Sequence, residues 1–170
     1  MTKQVWFAHG KESGPWGRKI RALAPIAETH GFEVRSPDYR HTMDPQERVR
    51  YLQDQGPAAD LLVLVGSSMG GYVSAAASAA LRPTGLFLLA PAVGLPGYQP
   101  DPEPRAALIE IVHGWDDALI PPDNVARFAR AHDARLHLIP GEHTLNEQLP
   151  WLEQAFDRFL TEIASMRSPA

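Results

Sequence analysis

The chain has 170 residues, 44% of them hydrophobic, with 16 lysines and arginines against 20 aspartates and glutamates, a net charge of −4. That is the length of one domain, 1–170, with ordinary globular composition, which argues against disorder and against two domains. The absence of cysteine excludes disulfides, thiolate metal sites and a thiol nucleophile, and the acidic balance argues against nucleic-acid or anionic-membrane partners, which need a basic face.

Taken in chain order, short apolar runs alternate with helix-period segments. Residues 5–8 read as a strand that runs into His9-Gly10, and a helix follows near 16–29. A strand at 33–35 and a helix near 45–55 come next, then the continuously apolar run Leu61-Leu62-Val63-Leu64-Val65. Such a run is expected where helices cover both faces of a sheet. An Ala-rich helix near 70–81 precedes a strand at 86–89. Residues 91–104 then carry Pro91, Pro96, Pro100, Pro102 and Pro104, which disfavour a regular helix. Strands at 108–112 and 136–139 flank a helix near 123–131, and a last helix covers 147–163. The alternation predicts an α/β fold with a mainly parallel sheet and right-handed crossovers. No stretch approaches 18 apolar residues, and no apolar segment follows a basic start, so a soluble, cytoplasmic domain is expected.

Gly66-Ser67-Ser68-Met69-Gly70 fits G-x-S-x-G between an apolar strand and a helix. In that context the central serine occupies a strained strand-to-helix turn, and small flanking residues admit close backbone. Ser67 does not fit, because Val65 and Met69 would take the glycine positions. A purely structural turn and a phosphate-cradling loop are the alternatives; against the latter, no Gly-Lys-Ser/Thr follows and the dinucleotide pattern is absent. Ser68 is the candidate nucleophile.

A serine hydroxyl needs a base to take its proton, and the base needs an orienting acid. Asp116 and Asp117 lie just past the end of one strand and His143 just past the end of the next. In an open parallel sheet such positions converge on one rim, and no metal or cofactor is required. His137 lies within a strand, His30 and His132 at helix ends, His41 in a polar loop, and His113 precedes the acid, which makes it a loop organiser. Spacing alone leaves Asp116 and Asp117 open, and places Asp123-Asn124 as a helix cap. Two backbone N–H groups should receive the developing oxyanion: that of Met69, after the nucleophile, and that of Lys11, after the permissive Gly10.

The chain resembles small serine hydrolases of the α/β-hydrolase family. Ala8-His9-Gly10, Gly66-Ser67-Ser68-Met69-Gly70-Gly71, His113-Gly114-x-x-Asp117-x-x-Ile120-Pro121 and His143 carry the likeness over nearly the whole chain. The resemblance implies the strand order and an esterase-type activity, and it favours Asp117 as the triad acid. It also implies a compact fold lacking the first antiparallel strands, with no helical lid after residue 89. The expected substrate is a small-molecule ester; a thioester, or a binding protein without turnover, is the alternative. Trp16, Tyr98, Trp115, Leu119 and Leu145 are candidate walls of the substrate pocket. Oligomeric state is not legible in the sequence.

Overall fold

The computed structural model describes residues 1–166. Its strands are β1 (Lys3–Ala8), β2 (Glu33–Arg35), β3 (Leu61–Ser67), β4 (Gly85–Leu89), β5 (Leu108–Gly114) and β6 (Arg135–Ile139). The helices between and after them are α1 (Arg18–Thr29), α2 (Pro45–Asp54), α3 (Met69–Leu81), α4 (Pro122–Ala131) and α5 (Leu149–Ser165). Across the sheet the order is β2-β1-β3-β4-β5-β6, and every neighbouring pair runs parallel. The mainly parallel sheet expected from the sequence is therefore parallel throughout the described residues.

The side-chain period of two divides each strand between two apolar layers. On one face Val5 and Phe7 of β1, Leu61, Val63 and Val65 of β3, and Phe87 and Leu89 of β4 pack with α1 and α5. On the other, Trp6, Leu62, Leu64, Leu86 and Leu88 pack with α2, α3 and α4. Continuous apolarity in β3 is thus the cost of having no solvent face. Phe87 joins Phe156 and Phe159 of α5 at 5.1 Å between ring centroids in each case. Local signals set the helix ends: the Asp44 carboxylate accepts the Gln46 N–H at 2.8 Å with Pro45 in the first turn of α2, a cap worth about 0.5–2 kcal/mol.

The chain passes from β1 outward to β2 and then returns to lay β3 on the other side of β1. This reversal opens a crevice at the carboxyl ends of β1 and β3, where open α/β sheets place their ligands. The proline-rich stretch after β4 forms no helix and is pinned in place. Tyr72 Oη donates to the Pro100 carbonyl at 2.8 Å, Gln46 Nε2 to that of Gln99 at 3.2 Å and Asn124 Nδ2 to that of Gly94 at 3.0 Å, while Ser78 Oγ accepts the Arg105 N–H at 3.0 Å. Asn124 therefore holds this segment and does not cap α4, whose N-cap is Pro121. The sequence-based assignment of a cap to Asp123-Asn124 is corrected on this point, because Pro121 and Pro122 already start the helix.

Candidate active site

Ser68 sits between β3 and α3 with φ 55° and ψ −119°, a left-handed conformation that costs an L-residue on the order of 1–3 kcal/mol. Hydrogen bonds hold it there: its N–H donates to the Leu89 carbonyl at 3.0 Å, and its carbonyl accepts from Gly71 at 2.9 Å and Ala92 at 3.0 Å. The flanking glycines are steric requirements. A Cβ on Gly66 would stand 2.1 Å from the Gly70 carbonyl oxygen, and one on Gly70 would stand 1.9 Å from that of Ala8. Close backbone at this turn lifts the serine hydroxyl to the rim of the sheet.

His143 lies in the loop after β6, and its Nε2 is 3.0 Å from Ser68 Oγ. Its Nδ1 is 2.8 Å from Asp117 Oδ2. An imidazole that donates from Nδ1 to a carboxylate presents a lone pair at Nε2, and this lone pair accepts the serine O–H. The side chain of Asp117 is fully buried, and its Oδ1 accepts the N–H groups of Leu119 at 2.9 Å and Ile120 at 2.8 Å. Asp116 is exposed, and its N–H donates to the Gly141 carbonyl at 3.0 Å. The loops bearing Asp117 and His143 pack backbone to backbone, for a Cβ on Gly114 would come within 2.2 Å of that same Gly141 oxygen. His113 does organise its loop: its Nε2 donates to the Ile120 carbonyl at 2.9 Å, and burial pushes its pKa down.

At the end of β1, a Cβ on Gly10 would lie 3.6 Å from that of Ser68. His9 is neutral here. Burial lowers its pKa, its Nε2 accepts the Tyr39 N–H at 2.9 Å, and its Nδ1 donates to the Gly10 carbonyl at 2.8 Å. Since C=O and N–H point oppositely across a trans peptide, drawing the Gly10 oxygen inward turns the Lys11 N–H outward. Met69 opens α3, and the first amides of a helix have no acceptor within it.

A cavity of about 390 Å³ joins these parts, lined by Lys11, Ser68, Leu95, Tyr98, Leu119 and His143 among others. Two of the five candidate wall residues, Tyr98 and Leu119, line this cavity. The other three proposed wall residues do not. Trp16, 53% exposed, borders a separate hollow of about 630 Å³ beside β2 that holds neither Ser68 nor His143. Trp115 points to solvent, and Leu145 is buried in the core against α5. Sequence reading missed Ala92, Leu95 and Ile120, which reach the cavity from irregular backbone. It also missed Lys19 of α1, whose Nζ donates to the Thr144 carbonyl at 2.7 Å beside His143. Among the described residues no cluster of three or more His, Asp or Glu side chains is arranged to hold a metal, and no helix is long and apolar enough to cross a membrane.

A six-stranded parallel sheet with helices on both faces and a serine at a tight strand-to-helix turn define an α/β hydrolase. The chain belongs to the alpha/beta hydrolase family, whose sequence profile matches residues 7–169. It is similar to an alpha/beta-superfamily protein from Xanthomonas campestris pv. campestris, with 34% identity over 95% of this chain and 99% of that one and a TM-score of 0.84. Two further structures share the fold. One is an α/β serine hydrolase without a lid, also from Xanthomonas campestris, 22% identical over 95% of this chain and 83% of that one, TM-score 0.70. The other is Est1E from Butyrivibrio proteoclasticus, 17% identical over 97% and 89%, TM-score 0.78. No curated protein matches the chain.

Proposed function

We propose that the protein is a serine hydrolase that cleaves small carboxylic esters through an acyl-enzyme. The observation that carries this reading is the unbroken chain Asp117–His143–Ser68, with hydrogen bonds of 2.8 and 3.0 Å, ending on a serine held at positive φ. Ser68 Oγ attacks the ester carbonyl carbon while its proton passes to His143 Nε2. The negative charge that forms on the former carbonyl oxygen is received by the N–H groups of Lys11 and Met69. As the tetrahedral intermediate collapses, the ester C–O bond breaks and His143 returns the proton to the departing alkoxide. Water, deprotonated by the same nitrogen, then attacks the acyl-Ser68, and release of the acid restores the hydroxyl. Asp117 keeps Nδ1 protonated and stabilises the imidazolium without taking its proton.

A fluorophosphonate probe, together with p-nitrophenyl butyrate hydrolysis, tests this. The wild-type chain should be labelled at Ser68. Ser68→Ala should lose labelling and on the order of 10⁴-fold or more of its activity, whereas Ser67→Ala keeps most of both. Full activity in Ser68→Ala overturns the reading.

A further inference from the structure

Arg48, on α2, is completely buried. An arginine in that position normally faces a carboxylate, since an unpaired buried charge is costly. Among the described residues no aspartate or glutamate forms an ion pair with it. The nearest acidic loop offers none, because Asp38 is committed to a bidentate bridge with Arg40 at the surface.

Its donors go to backbone and soft partners. Nη1 reaches the Gly10 carbonyl at 3.1 Å and the His9 carbonyl at 3.3 Å, Nε donates to the Thr42 carbonyl at 2.8 Å, and Nη2 to Met43 Sδ at 3.6 Å. The guanidinium lies 5.9 Å from the centre of the Tyr39 ring. The Gly10 oxygen therefore takes two donors from inside the protein, Arg48 and His9. The same peptide unit carries the Lys11 N–H, and it stands against Ser68.

We infer that Arg48 is a positioning residue for the oxyanion-binding loop: its buried guanidinium grips the His9 and Gly10 carbonyls and so aims the Lys11 N–H at the reacting carbonyl oxygen. The inference rests on the esterase reading above. Two features distinguish this role from plain packing. Nη1 alone meets two successive carbonyls of one loop while Nε and Nη2 fix the guanidinium to Thr42 and Met43, which sets the orientation of the peptide as well as its position. In addition, among the described residues no carboxylate forms an ion pair with the cation, so it polarises the Gly10–Lys11 peptide in the direction that strengthens the N–H as a donor. Because guanidinium stays protonated throughout the working pH range, the effect does not titrate. An amide aimed at an oxyanion stabilises the transition state more than bound substrate, so its loss is read in kcat and not in KM.

The test compares wild type, Arg48→Gln and Arg48→Lys on p-nitrophenyl butyrate, with affinity for butylboronic acid, which forms a tetrahedral adduct on a serine, as a second readout. Arg48→Gln should lose about 10- to 100-fold in kcat, below the range for deleting an oxyanion donor outright, with KM within about 2-fold. Boronate affinity should weaken by a factor matching the loss in kcat/KM, and the acid limb of the pH–rate profile should not move. Arg48→Lys, which keeps the charge without the fork, should fall between the two and supplies the comparison if Arg48→Gln does not fold. Unchanged kcat in a folded variant, or a loss confined to KM or to thermal stability, overturns the inference. If wild type is labelled at Ser68 and Ser68→Ala is inert while Arg48→Gln keeps its kcat, the positioning role alone fails. Full activity of Ser68→Ala removes the reading beneath it.

Discussion

At the scale of single residues, Asp116 and Asp117 are chemically identical neighbours with opposite surroundings. Asp117 is enclosed, takes two backbone N–H groups on one oxygen and faces His143 with the other; Asp116 faces water. Asp117→Asn should keep the fold and lower kcat steeply, by about 10³- to 10⁴-fold, because the amide can present its N–H to Nδ1 and so favour the wrong tautomer. Asp116→Asn should stay within a few-fold of wild type. Steady-state kinetics on the two variants check this, and the reverse ranking would move the acid to Asp116. The buried imidazoles of His9 and His113 carry a separate consequence. Both have pKa values lowered by burial from the ordinary 6.5, so between that value and their folded values the unfolded chain binds more protons. Stability accordingly rises with pH across this window and is lost as pH falls below about 6.5. Thermal melts from about pH 7.5 down to 5.5 should show a falling Tm with a shallower slope in His113→Gln; a flat Tm would contradict it.

At the scale of elements, the turn between β3 and α3 is built by contact of backbone with backbone. A methyl group on Gly70 would drive the first turn of α3 off the end of β1, since the Ala8 carbonyl stands 1.9 Å from where it must go. Gly70→Ala should therefore cost about 3 kcal/mol or more in urea unfolding. Gly56→Ala, at φ 67° in open space, should cost only the left-handed backbone strain of about 1–2 kcal/mol. Equal losses would show that the turn has room to relax. These elements were legible in the sequence because period and punctuation agree in them: β3 is continuously apolar between polar turns, and α3 starts within one residue of its expected position. Strand order was implied only by family resemblance, since strand pairing leaves no local mark. Arg48 was not legible at all. In Pro45-Gln46-Glu47-Arg48-Val49-Arg50 it looks like half of a solvated pair with Arg50; only the packing of α2 against the loop after β1 buries one arginine and leaves the other exposed. Trp16, Trp115 and Leu145 fall outside the cavity for the same reason, since a side chain's place near a motif says nothing about which way it faces once the loop is folded.

For the molecule as a whole, the question is how much substrate the site can cover. The place where a lid would be inserted, after β4, holds the proline-rich segment, and its side chains Leu95 and Tyr98 serve as cavity wall. This wall is tied along its length, by Asn124 to the Gly94 carbonyl, by Tyr72 to the Pro100 carbonyl and by Ser78 to the Arg105 N–H. These ties hold the segment against α3 and α4 at three points. The cavity of about 390 Å³ is near the lower end of the range for small-molecule sites, and Leu119 at its edge is 67% exposed. Each methylene that finds cover contributes only about 0.8 kcal/mol at best, and those that extend past Leu119 into water contribute nothing. Within a series of p-nitrophenyl esters, kcat/KM should be highest for short acyl chains of about two to six carbons and decline beyond them. A parallel thioester series should show the same length dependence, because the wall is indifferent to the leaving atom. With no lid to open, emulsified substrate should bring no jump in rate as it passes its solubility limit. A steady climb in kcat/KM out to long-chain esters, or activation at the lipid–water interface, would mean that a longer groove forms in solution than the anchored wall allows.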